Sequence, residues 1–340
     1  MLRAVSGAED GPPVGRRGGW GPINGSGERV LVTGASGFLG SRTIDPLLQA
    51  GYEVHALARR PGSRSDVHWH AVDLLDDDAT AALVRDLAAQ NMLHLAWYAE
   101  HGRFWASPEN LSWAAASLRL VRAFREAGGR RAVIAGTCAE YDWSGAGERF
   151  LELPRDGIAA TPEAPATLYG AAKRATLLAA SAYAETVALS LAWGRVFLLY
   201  GPGEDERRLV PAVARALLAG EEAPTGDGTR IRDFMHVEDV ARGFVALLSS
   251  GVEGPVNVAS GEGVALARVL DLIAQAAGRP DLLRPGALPP REGEPERLVA
   301  DVHRLSTEVG FSPAIALERG IAETVAWWRA GSRAADELDA

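Results

Sequence analysis

The sequence predicts an α/β protein with a doubly wound parallel sheet and a smaller C-terminal lobe. Apolar segments rich in β-branched residues alternate with amphipathic helical segments between residues 29 and 197. A glycine-rich turn separates the first strand from the first helix. Beyond residue 200 the helices are joined by longer polar loops, which indicates the second lobe.

The composition limits the class of protein. The chain has 340 residues, 47% of them hydrophobic, which is enough for one large or two modest globular units. A single cysteine excludes an intramolecular disulfide and a cysteine-based zinc cluster. The net charge of −9 argues against a nucleic-acid partner. The sequence has neither an apolar run long enough to cross a membrane nor a secretory signal, so we expect a cytoplasmic protein.

The first strand and its turn predict a phosphate-binding unit. Residues 30–33 form the predicted strand, and Gly34, Gly37 and Gly40 follow at three-residue spacing before a helix. Gly34 permits a tight turn, Gly37 lets backbone N–H groups approach a pyrophosphate, and Gly40 lets the helix pack closely on the strand. We therefore expect a dinucleotide to bind here.

The end of the second predicted strand indicates which dinucleotide binds. Sites for NAD usually place a carboxylate there to hold the ribose hydroxyls. In this chain Ala58 occupies the expected acid position, and Arg59 and Arg60 follow it. Two guanidinium groups suit the additional phosphate of NADP, so the sequence favours NADP, with NAD possible. The alternative is that both arginines are only solvated at a strand end.

A tyrosine and a lysine four residues apart predict acid–base chemistry. Tyr169 and Lys173 lie on one face of a predicted helix that covers residues 169–186. A nearby cation favours the phenolate and lowers the pKa of the phenol, which is near 10 in isolation. The same spacing also occurs in ordinary surface pairs, so the position after the fifth strand gives this pair its meaning.

Together these motifs resemble the extended short-chain dehydrogenase/reductases, in particular the NAD-dependent epimerase/dehydratase family. The Gly-x-x-Gly-x-x-Gly turn and Tyr-x-x-x-Lys are joined by similar segments at residues 195–203, 226–240, 256–261 and 300–301. The resemblance covers residues 29–330 and implies a Rossmann-type fold, a nucleoside-diphosphate sugar as substrate and a homodimer. The expected domains are a disordered leader (1–27), a cofactor-binding domain (28–197), a mainly nucleotide-sugar-binding lobe (198–330) and a tail (331–340).

The resemblance also implies roles for individual residues. Thr137, at the end of the fifth strand, steadies the substrate oxygen beside Tyr169 and Lys173. Asp73 meets the adenine amino group, and Arg232 contacts the diphosphate. The full cofactor set is Gly34, Ser36, Gly37, Phe38, Leu39, Gly40, Arg59, Arg60, Asp73, Leu74, Leu95, Ala96, Tyr169 and Lys173, and the substrate set is Trp97, Glu140, Leu209 and Arg232; no metal ligands are expected, because the histidines show no ligand spacing on a helix face.

Departures from the family pattern bear on the reaction. The 4,6-dehydratases carry an Asp-Glu pair after the catalytic threonine, where this chain has Cys138 and Ala139. The acid and base for water elimination are therefore missing, and we interpret Cys138 as a small packed residue. Glu140 either orients a substrate hydroxyl or lies solvated in a loop. Trp97 replaces a small residue and is expected to narrow the sugar pocket.

The leading hypothesis is an NADPH-dependent ketoreductase that acts on a nucleotide-linked deoxysugar, at a 4-keto group. Tyr169 would give its proton to the carbonyl oxygen, and Lys173 would tune the tyrosine. An epimerase with tightly held NAD(P) would use the same residues and is the first alternative. A non-catalytic NADP-binding regulatory protein is the second, and the intact Thr137, Tyr169 and Lys173 count against it.

Overall fold

The computed structural model describes residues 27–144, 149–156, 158–289 and 293–336. The predicted leader, apart from Gly27, lies outside the described residues. Among the residues described, no helix combines the length and the apolar composition that crossing a membrane requires.

Thirteen strands are described, in chain order. They are β1 Arg29–Thr33, β2 Glu53–Ala58, β3 His68–Ala71, β4 Asn91–His94, β5 Arg131–Thr137, β6 Ser190–Val196, β7 Leu198–Tyr200, β8 Ala223–Pro224, β9 Ile231–His236, β10 Gly254–Val258, β11 Gly263–Ala265, β12 Leu283–Arg284 and β13 Arg297–Leu298.

Eight α-helices are described between and after these strands. They are α1 Gly40–Gln49, α2 Asp77–Leu87, α3 Glu109–Glu126, α4 Leu168–Val187, α5 Leu209–Leu218, α6 Val237–Ser249, α7 Leu266–Ala277 and α8 Leu317–Asp336.

Seven strands form the main sheet in the order β10-β6-β5-β4-β1-β2-β3, and every neighbouring pair in it is parallel. The strand order reverses between β1 and β4, and ligands of such sheets bind at the carboxyl ends of the strands there. The predicted α/β, Rossmann-type doubly wound parallel sheet is confirmed.

Two apolar layers hold helices on the two faces of this sheet. On one face, Ile44 and Leu47 of α1 and Phe244 of α6 pack in a single buried cluster. On the other face, a second cluster joins α2, α3 and α4 and includes Leu120 and Leu177. Both faces of the parallel strands are thereby covered, as such a sheet requires.

The smaller lobe does not begin and end as the sequence suggested. Helices α5, α7 and α8 share their own buried cluster, and β7, β9, β11 and β13 form a separate sheet. However, α6 packs against α1, and β10 pairs with β6 at one edge of the main sheet. The boundary predicted after residue 197 is therefore too simple, because residues 237–258 return to the main domain. Within the predicted tail (331–340), helix α8 continues to Asp336.

Candidate active site

The glycine turn has the close backbone packing that its sequence predicts. Gly34 has a φ of +71°, and a Cβ there would lie 2.8 Å from the backbone nitrogen of Ala96. A Cβ on Gly40 would lie 2.1 Å from the carbonyl oxygen of Gly34, so only glycine lets α1 begin this close to the turn. Ser36 and Gly37 are exposed at the tip of the turn, which the Gly37 N–H closes by donating to the Gly34 carbonyl oxygen at 2.9 Å. An anion can approach the backbone closely at this exposed tip, at the start of α1. The cradle fits a dinucleotide pyrophosphate.

The carboxyl ends of β2 and β3 lie side by side and carry the predicted adenosine-binding residues. Ala58 pairs with Ala71 across the two strands, and Arg59 and Arg60 follow Ala58 with exposed side chains. Asp73 is exposed beyond β3 and accepts a hydrogen bond from the Leu75 backbone nitrogen at 3.1 Å. The structure therefore brings both arginines and Asp73 together at the carboxyl ends of the strands. Of the other predicted cofactor residues, Leu74 is buried, and Phe38 and Leu39 are half-buried.

The end of β4 is fastened to the end of β1. The backbone nitrogen of Leu95 donates to the Thr33 carbonyl oxygen, and that of Ala96 donates to Thr33 Oγ1 at 3.3 Å. His94 lies between Thr33 Oγ1 at 2.6 Å and Ser117 Oγ at 2.8 Å. Burial lowers the pKa of His94 to about 3, so the imidazole is neutral. It fixes the β1 and β4 ends that flank the cradle.

Thr137 and Tyr169 meet because a helix approaches the end of β5 closely. Thr137 ends β5, and its Oγ1 accepts a hydrogen bond from the Ala139 backbone nitrogen at 3.2 Å. A Cβ on Gly170 would lie 2.1 Å from the Ala139 carbonyl oxygen, so this glycine lets α4 pack against the turn. Burial raises the pKa of Tyr169, and its hydrogen bond to the Thr137 side chain opposes that shift.

Burial is the largest influence on the pKa of Tyr169, and the expected effect of Lys173 on that phenol stays a prediction. Lys173 Nζ donates to the Ala135 carbonyl oxygen at 2.7 Å and lies 3.8 Å from the centroid of the Trp97 ring. Burial lowers the pKa of Lys173, and the charge of Glu140 raises it.

Trp97 covers the ammonium group of Lys173. Its Nε1 donates to Asn110 Oδ1 at 2.9 Å, which holds the ring over the Lys173 ammonium. The predicted contact of Trp97 with a sugar stays a prediction.

Neither interpretation of Glu140 agrees with the structure. Its side chain is 0% exposed, which rules out a solvated loop and leaves no accessible atom for a substrate hydroxyl. The carboxylate accepts hydrogen bonds from the Thr137 backbone nitrogen at 2.8 Å, Trp193 Nε1 at 2.9 Å and Arg195 Nε at 2.8 Å. Arg195 is equally buried and also pairs with Glu163. Glu140 positions Thr137 from behind.

An aromatic group beside Tyr169 extends the site beyond the predicted residues. Phe104 and Trp105 meet the Tyr169 ring edge-to-face, with centroids 4.9 Å and 5.8 Å away. The Tyr169 backbone nitrogen donates to the Trp105 carbonyl oxygen at 3.1 Å. The Arg208 guanidinium lies 5.8 Å from the Phe104 ring and acts to lower the pKa of Tyr169. Arg208 directly precedes the exposed Leu209, and this adjacency to a predicted substrate residue is its sequence signal.

The predicted diphosphate ligand is near the site but already paired. Arg232 is 5% exposed and donates to Glu294 Oε2 at 3.2 Å, and Arg230 pairs with the same oxygen at 2.9 Å. Arg232 lies close enough to Cys138 for the sulfur to influence the pKa of Arg232, although burial, which lowers that pKa, is the largest influence. Burial raises the pKa of Cys138 to about 12, which agrees with a packed residue and not a nucleophile.

Comparison with known protein families agrees with the glycine turn and with the arrangement of Thr137, Tyr169 and Lys173. The sequence profile described as the NAD dependent epimerase/dehydratase family matches residues 30–259. The chain belongs to this family. The members that it resembles are nucleotide-sugar epimerases, dehydratases and reductases.

Individual relatives cover almost the whole chain. The UDP-glucose 4-epimerase of Mycolicibacterium smegmatis is 30% identical over 325 residues, which are 88% of this chain and 98% of the relative. A dTDP-4-dehydro-6-deoxy-D-allose reductase of Streptomyces sp is 28% identical over 326 residues, 91% of this chain and 98% of the relative. The solved structure of MoeE5 in complex with UDP-glucose and NAD is 30% identical, has a TM-score of 0.77, and is matched over 89% of this chain and 99% of that one.

Proposed function

We propose that this protein uses NADPH to reduce a keto group, at C4, on a nucleotide-linked deoxysugar. The observation that carries the proposal is the end of β2, where Ala58 is buried and the exposed Arg59 and Arg60 follow it. With no carboxylate to repel it, a 2′-phosphate can receive charge-assisted hydrogen bonds from both guanidinium groups. Cellular reductases commonly draw on this phosphorylated cofactor.

The cofactor would be held by backbone groups at Gly34, Gly37 and Gly40, with its adenosine end at Arg59 and Arg60. When bound, its nicotinamide supplies the hydride. Lys173 lies at the carboxyl edge of the sheet beside Ala135, where its ammonium can bind a ribose hydroxyl after the Trp97 ring turns aside.

The protonation state of the site favours reduction. Because burial raises the pKa of Tyr169, its phenol keeps its proton at neutral pH, which is the state required to protonate a carbonyl oxygen. The Thr137 side chain is hydrogen-bonded to Tyr169, and its oxygen also accepts from the Ala139 backbone nitrogen, so the hydroxyl is held beside the phenol where a substrate oxygen can join both. Arg208 stabilises the phenolate that remains after proton transfer.

Water elimination has less support than reduction. Cys138 and Ala139 are buried and carry no carboxyl group, and the Glu140 carboxylate is occupied by Arg195 and Trp193. The positions that follow Thr137 therefore offer no acid or base to a substrate.

The substrate class rests on the relatives and on one buried cation. The M. smegmatis relative acts on UDP-glucose by its name, and the Streptomyces relative on a dTDP-linked 4-dehydro-6-deoxy sugar. We infer that Arg232 binds the diphosphate of such a substrate and exchanges its contact with Glu294 for it. Leu209 would line the same cavity from the start of α5.

A homodimer through α3 and α4 is part of the proposal. The two helices pack side by side and each presents a large exposed apolar side chain, Leu111 at 60% and Leu178 at 53% exposure. Pairing of two copies through this face would cover both.

The test supplies 4-keto-6-deoxy nucleotide sugars and follows NADPH absorbance. We expect one NADPH consumed per alcohol formed and a single product epimer. Tyr169→Phe should lower the rate by about 10²–10⁴-fold, because it removes only the donated proton. Tyr183→Phe, the same substitution on the same helix, is the control and should keep the wild-type rate.

An epimerase is the second candidate, favoured by the activity that names the M. smegmatis relative. An enzyme of that type would carry bound NAD and interconvert two hydroxy sugars with no added cofactor. That result, or preference for NADH unaffected by replacing Arg59 and Arg60 with alanine, would contradict the reductase.

A further inference from the structure

Three of the seven histidines and one glutamate meet on the outer edge of the main sheet. Strand β3 is the edge strand, and His55 of β2 lies opposite His68 of β3. Alternate residues of a strand share a face, so Glu53 joins His55 on one strand and His70 joins His68 on the other. We call Glu53, His55, His68 and His70 the edge cluster.

The ligand atoms of the edge cluster are spaced as a metal ion requires. Glu53 Oε1 lies 3.0 Å from His55 Nε2 and 3.5 Å from His68 Nε2. All three atoms are within 4.8 Å of one another. Bonds of about 2.0–2.1 Å at tetrahedral angles separate zinc ligands by about 3.3 Å, so an ion can enter with little movement of the side chains.

The fourth member, His70, contacts the side of the His55 ring that faces away from the other ligand atoms. His70 Nε2 lies 3.1 Å from His55 Nδ1, the ring nitrogen that faces away from Glu53. The His55 ring is stacked on His68 at 4.7 Å and on His70 at 5.4 Å between centroids. Metal-binding histidines commonly donate their second N–H to a neighbouring acceptor, which fixes the tautomer and the ring orientation. His70 provides that acceptor for His55.

We propose that Glu53, His55 and His68 bind one Zn²⁺ ion, with water as the remaining ligand and His70 orienting His55. Imidazole nitrogens suit zinc, whereas Mg²⁺ and Ca²⁺ prefer all-oxygen sites. Glu53 and His68 have side chains that are 44% and 60% exposed, so the ion has a path from solvent. Because its ligands come from both strands, the ion fastens β3 to β2.

The cluster is separate from the proposed catalytic site. Glu53 begins β2, whereas Arg59 and Arg60 follow the other end of that strand. Thr137 ends β5, which lies three strands away from β2 in the sheet.

The experiment titrates Zn²⁺ into chelator-treated, full-length protein without a polyhistidine tag, by calorimetry. We expect one Zn²⁺ per chain, a higher Tm with zinc, and no response to Mg²⁺. His68→Asn and Glu53→Gln alter exposed side chains, so both variants should fold and bind Zn²⁺ at least 10-fold more weakly. His303→Asn, another exposed histidine, should bind as the wild type does.

The proposal is overturned if the wild-type protein takes up no Zn²⁺ at micromolar concentration. It is equally overturned if His68→Asn and Glu53→Gln keep the wild-type affinity, because the ion would then be held elsewhere. Neither outcome bears on the reductase, since the titration contains no cofactor or sugar.

Discussion

Glu140→Gln should destabilise the protein, because Glu140 and Arg195 are both 0% exposed and paired at 2.8 Å. Removing one partner of a buried ion pair lowers the free energy of unfolding by about 3–5 kcal/mol. The amide N–H of the new glutamine would also face the N–H donor of Trp193 or of Thr137. We expect the low end, about 3 kcal/mol, since Arg195 keeps Glu163. With an unfolding entropy of about 2.1 cal/mol/K per residue, the Tm should fall by about 4 °C.

Glu163→Gln is the matched control. Glu163 contacts the same guanidinium, but its side chain is 23% exposed and its other ion pair is with Arg174. A partly exposed pair contributes about 1 kcal/mol or less, so its Tm should fall by no more than about 1–2 °C. Thermal unfolding followed by circular dichroism measures both variants.

A second measurement separates positioning from stability. The charge of Glu140 raises the pKa of Lys173 against the effect of burial. Glu140→Gln should therefore shift the loss of activity caused by Lys173 deprotonation to lower pH, and Glu163→Gln should not. If both variants lose the same stability and keep the same pH profile, Glu140 has no special role beneath Thr137 and the reasoning is refuted.

Two further predictions concern the cofactor cradle and a buried acid. Gly40→Ala should lower the free energy of unfolding in urea far more than Gly37→Ala, because the new Cβ lies 2.1 Å, not 3.1 Å, from the Gly34 carbonyl oxygen. Equal losses of stability would contradict this. Burial raises the pKa of Glu204 to about 8, and Oε2 has no hydrogen-bond partner among the described residues. Because the folded protein holds this proton more tightly than the unfolded chain, the wild type loses stability as the pH rises from about 4.5 to 8. The free energy of unfolding of Glu204→Gln, measured in urea, should therefore exceed that of the wild type by a few kcal/mol at pH 8.5 and by little at pH 4.

The local sequence pattern predicts those parts of the fold in which residues close in sequence are also close in space. The strand at residues 30–33, the glycine turn and the helix that follows form one continuous unit, and the structure has all three. The placement of Tyr169 and Lys173 on the same helix, four residues apart, likewise needs only helical spacing. Such features depend on backbone geometry that a short segment determines by itself.

Features that depend on strand register were not predictable from the same patterns. His55 and His68 meet only because β2 and β3 pair in a register that places them opposite each other. Helix spacing gives no sign of metal ligands among the histidines, whereas His68 and His70 share a face of their strand. The burial of Glu140 is not predictable for a related reason, because Trp193 and Arg195, which contact its carboxylate, come from a strand more than fifty residues later.

The geometry of the candidate site is built from parts that no single motif contains. The Glu140 carboxylate accepts a hydrogen bond from the Thr137 backbone nitrogen and so fixes the backbone of Thr137. Gly170 lets α4 pack against the turn that follows Thr137. Gly136 completes this support, since a Cβ there would lie 2.0 Å from Trp193 Nε1 and would displace the indole that bonds Glu140. A chain with the same threonine, tyrosine and lysine but a larger residue at 136 or 170 would keep the motif and lose the alignment. The small residues between the motifs determine whether the hydroxyl and the phenol meet.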